Sequence, residues 1–135
     1  MCGFAGIINL NGLEKDSWLN NSMKAASKSL YPRGPNQQGE WTDEFSYIIH
    51  SRLSILDLSE AGNQPMTKFG KTIVYNGEIY NFKEVRVNLL KEGYEFKSNN
   101  DCEVLLAAWD KWGKNSLNKI KGMFSFVIWD KNNKK

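Results

Sequence analysis

Met1-Cys2-Gly3-Phe4-Ala5-Gly6-Ile7-Ile8 opens the chain, and whether it is a leader or a strand settles most of the architecture. An apolar N-terminal run invites comparison with a secretion signal. This one has no positively charged leader and no small-residue cleavage site after it. A buried strand over Phe4 to Leu10, closed by Asn11-Gly12, is the better reading. A strand that begins at once fixes the terminus instead of leaving it frayed. Gly3 and Gly6 let a substrate or a neighbouring backbone come close.

A fixed terminus matters because of Cys2. Initiator methionine is normally removed when the second residue is small, which would leave the Cys2 thiol beside a free α-amino group. That amine has a reference pKa of about 7.7–8.0, so near neutral pH a useful fraction can accept a proton. The thiol is a strong nucleophile once deprotonated. One residue would then carry nucleophile and base together, as in the N-terminal threonine variant of a catalytic triad. The plain alternative is a small buried residue at a strand start, and position alone does not separate the two. With a single histidine in the chain, His50 is the one candidate for a cysteine–histidine pair.

Outward from this strand, Asp16 can cap a helix in which Leu19, Met23, Ala26 and Leu30 recur at helical spacing. Pro32 and Pro35 stop it, and Arg33 to Gly39 reads as loop. Trp41-Thr42 and Phe45 to Ser51 flank Asp43-Glu44 as a hairpin, and Ser59 to Met66 is loop. Thr72 to Tyr75 is a short apolar strand that ends at the turn signal Asn76-Gly77. Phe82 to Glu92 reads as a helix closed by Gly93. A second helix spans Asp101 to Trp112, with Asp101 as its N-cap. Met123 to Trp129 is strand-like, and Lys131-Asn132-Asn133 is a turn. Loose alternation of strands and helices, with hairpins, gives an α+β class. The chain stops at a turn that invites a further strand, so it reads as one domain over 1–135, cut short.

The chemistry gathers around a few of these positions. Attack on an amide creates an oxyanion, and donors must already stand where that charge develops. The Asn76 side chain and the Gly77 N–H, on a sharp turn at a strand end, would supply two. Arg52 ends the Phe45 to Ser51 strand, and its guanidinium fork matches a carboxylate. A carboxylate at Asp101 could receive an α-ammonium group. Together Arg52 and Asp101 would clamp an amino acid and raise its effective molarity.

Several blocks then become recognisable in order: Met1-Cys2-Gly3-Phe4-Ala5-Gly6, Arg33-Gly34-Pro35, His50 to Leu58, Asn63-Gln64-Pro65-Met66, Tyr75 to Asn81, Asp101 to Leu105 and Gly122 to Phe126. They resemble the glutaminase domain of glutamine-dependent asparagine synthetases. The resemblance implies an N-terminal-nucleophile hydrolase fold, a four-layer αββα sandwich with two antiparallel sheets whose C-terminal part is missing here. It implies that Cys2 attacks the glutamine side-chain amide, forms a thioester and releases ammonia. Asn76 and Gly77 would form the oxyanion hole, Arg52 would hold the substrate carboxylate, and Asp101 with Glu78 its amino group. Leu53, Ser54, Ile55 and Leu56 would line the glutamine pocket. In the family the ammonia passes to a synthetase domain, or a partner chain, that activates aspartate or another acid with ATP and magnesium. That half is absent from this sequence, and the resemblance implies no cofactor for the glutaminase domain itself. The family's His-Arg-Gly-Pro-Asp is replaced by Pro32-Arg33-Gly34-Pro35-Asn36. A second reading is a pocket that binds glutamine without turnover and serves as a binding or subunit-contact module.

Composition agrees with a globular protein and excludes several other classes. Apolar content of 41% and charged content of 24% are ordinary. A net charge of +3, weighted to Lys131, Lys134 and Lys135, is no nucleic-acid footprint. Cys2 and Cys102 lack the spacing of a disulfide framework or a zinc site, so no metal is expected. No run reaches the length of a membrane span. A cytoplasmic protein is expected, with a homodimer among its possible assemblies.

Overall fold

The structure, a computed structural model, describes residues 1–55 and 57–135. Its strands are β1 (Gly3–Ile8), β2 (Gln37–Thr42), β3 (Ser46–Arg52), β4 (Met66–Lys68), β5 (Lys71–Ile79) and β6 (Gly122–Asp130). Its α-helices are α1 (Ser17–Leu30), α2 (Phe82–Lys91) and α3 (Asp101–Trp112). The strands form two antiparallel sheets, in the orders β1-β3-β2 and β4-β5-β6.

The two-residue period of the strands explains how these sheets stack. Along β3, Tyr47 and Ile49 pack with Leu19 and Met23 of α1, while Ile48 faces the other way. Ile48 meets Val74 of β5 and Trp129 of β6 between the sheets. Along β5, Ile73, Tyr75 and Ile79 turn outward onto α2 and α3. The order of layers is therefore α1, first sheet, second sheet, then α2 with α3. It is the αββα sandwich expected from the sequence. Every residue of β3 is buried, as a central strand covered on both faces should be. One polar bond crosses the inner layer, where Trp129 Nε1 donates to Asp43 Oδ2 at 2.8 Å.

The helices form where caps and apolar spacing agree. Asp16 Oδ1 accepts the Leu19 N–H at 2.7 Å and starts α1. The run Cys102 to Ala108 of α3 is buried throughout, which is why it carries so little polar character. Each large side chain so buried contributes about 1.5–3 kcal/mol.

Three sequence expectations are corrected. The N-cap of α3 is Asn100, whose Oδ1 accepts the Glu103 N–H at 2.9 Å; Asp101 is instead the first helical residue. Strand β2 begins at Gln37, inside the stretch read as loop, because Gln37 and Gln38 pair with Arg52 and Ser51. Asn76-Gly77 is not a turn. Strand β5 runs straight through it, paired with β6 from Lys71 to Ile79. Nine continuous pairings outweigh a local turn preference.

Candidate active site

A cavity of about 220 Å³ opens where the start of β1, the end of β3, the far half of β5 and the start of α3 converge. Cys2, Arg52, Leu53, Ile55, Asn76, Gly77, Glu78 and Asp101 all line it. Ser54 does not. Its N–H turns away to Asn36 Oδ1 at 3.0 Å. That bond also shows what Asn36 does in place of a carboxylate, since an amide oxygen accepts as well. Leu56 lies outside the described residues.

The Cys2 sulfur is half-buried and bracketed by one backbone unit. The Leu53 N–H donates to Sγ at 3.3 Å, and the thiol reaches Leu53 O at 3.7 Å. The Cys2 carbonyl is held in turn by Arg33 Nε at 3.1 Å. Alternation puts Phe4 between the sheets, and one further step of two brings Cys2 to the same side. Asn76 shares that side with Val74. The sulfur and the Asn76 side chain thus belong to facing surfaces.

Beyond β4, the edge of β5 opposite β6 is closed by side chains. The Tyr75 N–H donates to Gln64 Oε1 at 2.6 Å, and the Ile79 N–H donates to Asp101 Oδ2 at 2.9 Å. The Gly77 N–H lies between them in the alternation and must face the same way. It has no acceptor among the described residues, and Gly77 lines the cavity. A side chain at residue 77 would strike Met123 O and Phe124 Cα of β6, so only glycine lets the strands approach here.

Two buried charges complete the lining. Arg52 is 6% exposed, and its donors go to neutral oxygens: Nη1 to Ser59 O at 2.9 Å and Asn63 Oδ1 at 2.8 Å, Nη2 to Asp57 O. No carboxylate pairs with it among the described residues. Asp101 is 4% exposed and accepts from the Tyr75 hydroxyl at 2.6 Å besides the Ile79 N–H. Among the described residues it has no cationic partner either. Burial, reinforced by the hydrogen bond to Asp101, pushes the Tyr75 phenol far above its ordinary range, so it stays protonated and donates. Buried charges are costly unless paired, and a cavity holding one of each sign suits a zwitterion.

His50 is removed from the chemistry. Its Nε2 lies 3.1 Å from Tyr75 O, which can only accept, so Nε2 carries the proton. Burial lowers its pKa to about 4 and keeps it neutral, and it does not line the cavity. Burial likewise pushes the Cys102 thiol well up and keeps it protonated.

Sequence reasoning gave no role to Gln64, Tyr75 or Asn100, which also line the cavity. Gln64 and Tyr75 fall inside recognisable blocks, which was the available signal; Asn100 had only its place before a helix.

A family model described as a glutamine amidotransferase domain matches residues 1–135. Asparagine synthetase [glutamine-hydrolyzing] 1 of Bacillus subtilis (strain 168) is 39% identical over 134 residues, covering 98% of this chain and 21% of that protein. The amidase chry2 of Gibberella zeae is 34% identical, covering 98% of this chain and 21% of its own length. This chain thus spans about a fifth of these relatives. Among solved structures, a glutamine phosphoribosylpyrophosphate amidotransferase from B. subtilis superposes with a TM-score of 0.52 at 24% identity. That match covers 64% of this chain and 21% of the other, and it shows the shared fold.

Proposed function

The chain belongs to the glutamine amidotransferase domain family, and from that premise we propose that it hydrolyses the side-chain amide of glutamine to glutamate and ammonia. The observation that carries this reading is the pair of buried, mutually unneutralised charges, Arg52 and Asp101, lining one cavity with the Cys2 thiol. The glutamine α-carboxylate meets Arg52, and its α-ammonium meets Asp101, with the exposed Glu78 alongside. The side chain then extends toward Cys2.

In the proposed reaction Cys2 Sγ attacks the amide carbon, and the Gly77 N–H and Asn76 amide receive the oxyanion. The C–N bond breaks, and the leaving nitrogen takes a proton to depart as ammonia. Water attacks the resulting thioester, frees glutamate and returns the thiol. The base is the α-amine of Cys2, which requires that Met1 be removed. Met1 lines the cavity and is 73% exposed, so its loss would bring the new amino end to the cavity wall. The domain, residues 1–135, is the glutaminase part of an asparagine-synthetase-like amidotransferase, acting in the cytoplasm. Its ammonia goes to an acid such as aspartate, activated with ATP and magnesium on a synthetase domain or partner chain.

The experiment pairs intact mass spectrometry with ammonia release from glutamine. Expected are loss of Met1, labelling of Cys2 by a glutamine-analogue electrophile, and abolition of hydrolysis in Cys2→Ala. Hydrolysis that persists in Cys2→Ala sinks the reading.

A further inference from the structure

Gln64 is 6% exposed, lines the cavity and takes no part in the chemistry so far. Its Oε1 accepts the Tyr75 N–H, and a backbone N–H can only donate. That contact fixes which branch of the carboxamide is oxygen. The Nε2 branch is left with no acceptor among the described residues. It is not one of the sealed, unsatisfied atoms, which among the described residues are His50 Nδ1 and Ser116 Oγ, and the cavity that Gln64 lines is where a partner can arrive.

Its surroundings say which partner. Asn63, next in the chain, holds the Arg52 guanidinium, and a Cβ on Gly62 would strike that same guanidinium. Gln64 therefore belongs to the loop that encloses the cation. Asp101 sits at the hydroxyl end of Tyr75, whereas Gln64 sits at its backbone end. Arg52 alone cannot saturate a carboxylate. Of its five N–H bonds, Nη1 spends two and Nη2 one on loop oxygens, leaving two. A carboxylate offers about four acceptor sites.

We propose that Gln64 is a substrate-binding residue whose Nε2 donates to the α-carboxylate of the bound amino acid, beside Arg52. The assignment rests on the glutaminase reading above. It gives the pocket a neutral donor that selects for a free α-carboxylate.

The test uses the full chain with Met1 removed, as wild type and as Gln64→Glu. The variant keeps the shape and an acceptor for the Tyr75 N–H, but it replaces the donor with an oxygen that repels a carboxylate. KM for glutamine should rise by about tenfold or more. Alkylation of Cys2 by iodoacetamide, which has no α-carboxylate, should stay within about twofold of wild type. With glutamine α-amide as substrate, the penalty of the substitution should shrink to about twofold or less. A KM within twofold of wild type overturns the proposal, as does an equal penalty on both substrates or a parallel loss of alkylation. Failure of the wild type itself to bind or hydrolyse glutamine overturns the glutaminase reading and this one with it. Normal wild-type turnover with an unaffected variant removes Gln64 alone.

Discussion

Two carboxylates stand in the first turn of α3, two positions apart, and they live in opposite circumstances. Glu103 is saturated: the Lys68 ammonium at 2.8 Å, the Lys97 and Ser98 N–H groups and the Ser98 hydroxyl all donate to it. Asp101 has two neutral donors, no cation among the described residues, and a place on a cavity wall. Burial pushes Glu103 up, yet the hydrogen bonds from Lys68 and Ser98 outweigh it and hold its carboxyl below the usual range. The lesson is that a completed set of partners marks a structural charge, and an incomplete one marks a charge waiting for a ligand. Arg52 repeats the second pattern with the opposite sign.

The largest expected effect tests the closed side of this contrast. Glu103→Ala removes the acceptor of a buried network and should cost about 4 kcal/mol in urea unfolding. Glutamine KM in the surviving folded protein should move by no more than about twofold. A loss below about 1 kcal/mol would mean that the network stabilises little.

A third buried ionisable group sharpens the contrast by staying uncharged. His50 has a folded-state pKa of about 4 against an ordinary value of 6.5. The unfolded chain therefore binds the proton first as pH falls, and stability is lost between those two values, by about 3 kcal/mol. Unfolding midpoints measured against pH should decline across this window, and His50→Gln should flatten the upper part of the decline. An unchanged slope in the variant would assign the loss to carboxylates instead.

The smallest effect tests the open side. Asp101→Asn keeps an acceptor for the Tyr75 hydroxyl, so stability should change by less than about 1 kcal/mol. Glutamine binding should weaken by about 2 kcal/mol, close to thirtyfold, if Asp101 is the proposed partner of the α-ammonium group, because its charge is gone. If stability falls while affinity holds, the two carboxylates are alike and the contrast fails.

This contrast was half legible in the sequence. Arg52 and Asp101 could be paired from their types and positions, and the ordered blocks carried the sandwich fold. The mistaken N-cap shows the limit: Asn100 and Asp101 are both good cap formers, and only backbone conformation decides between them. Asn76-Gly77 misled for a related reason. Its turn preference is local, whereas its pairing with Ser125 and Phe124 joins residues 49 and 47 positions apart in the chain. Gln64 stayed silent because its role depends on where one amide oxygen points, which no spacing encodes.

The alternation of β5 turns strand register into a kind of indexing. A single residue inserted between Val74 and Asn76 would send the Gly77 N–H toward β6 and turn the Asn76 side chain away from Cys2. Every residue of the site would still be present, and the site would be gone.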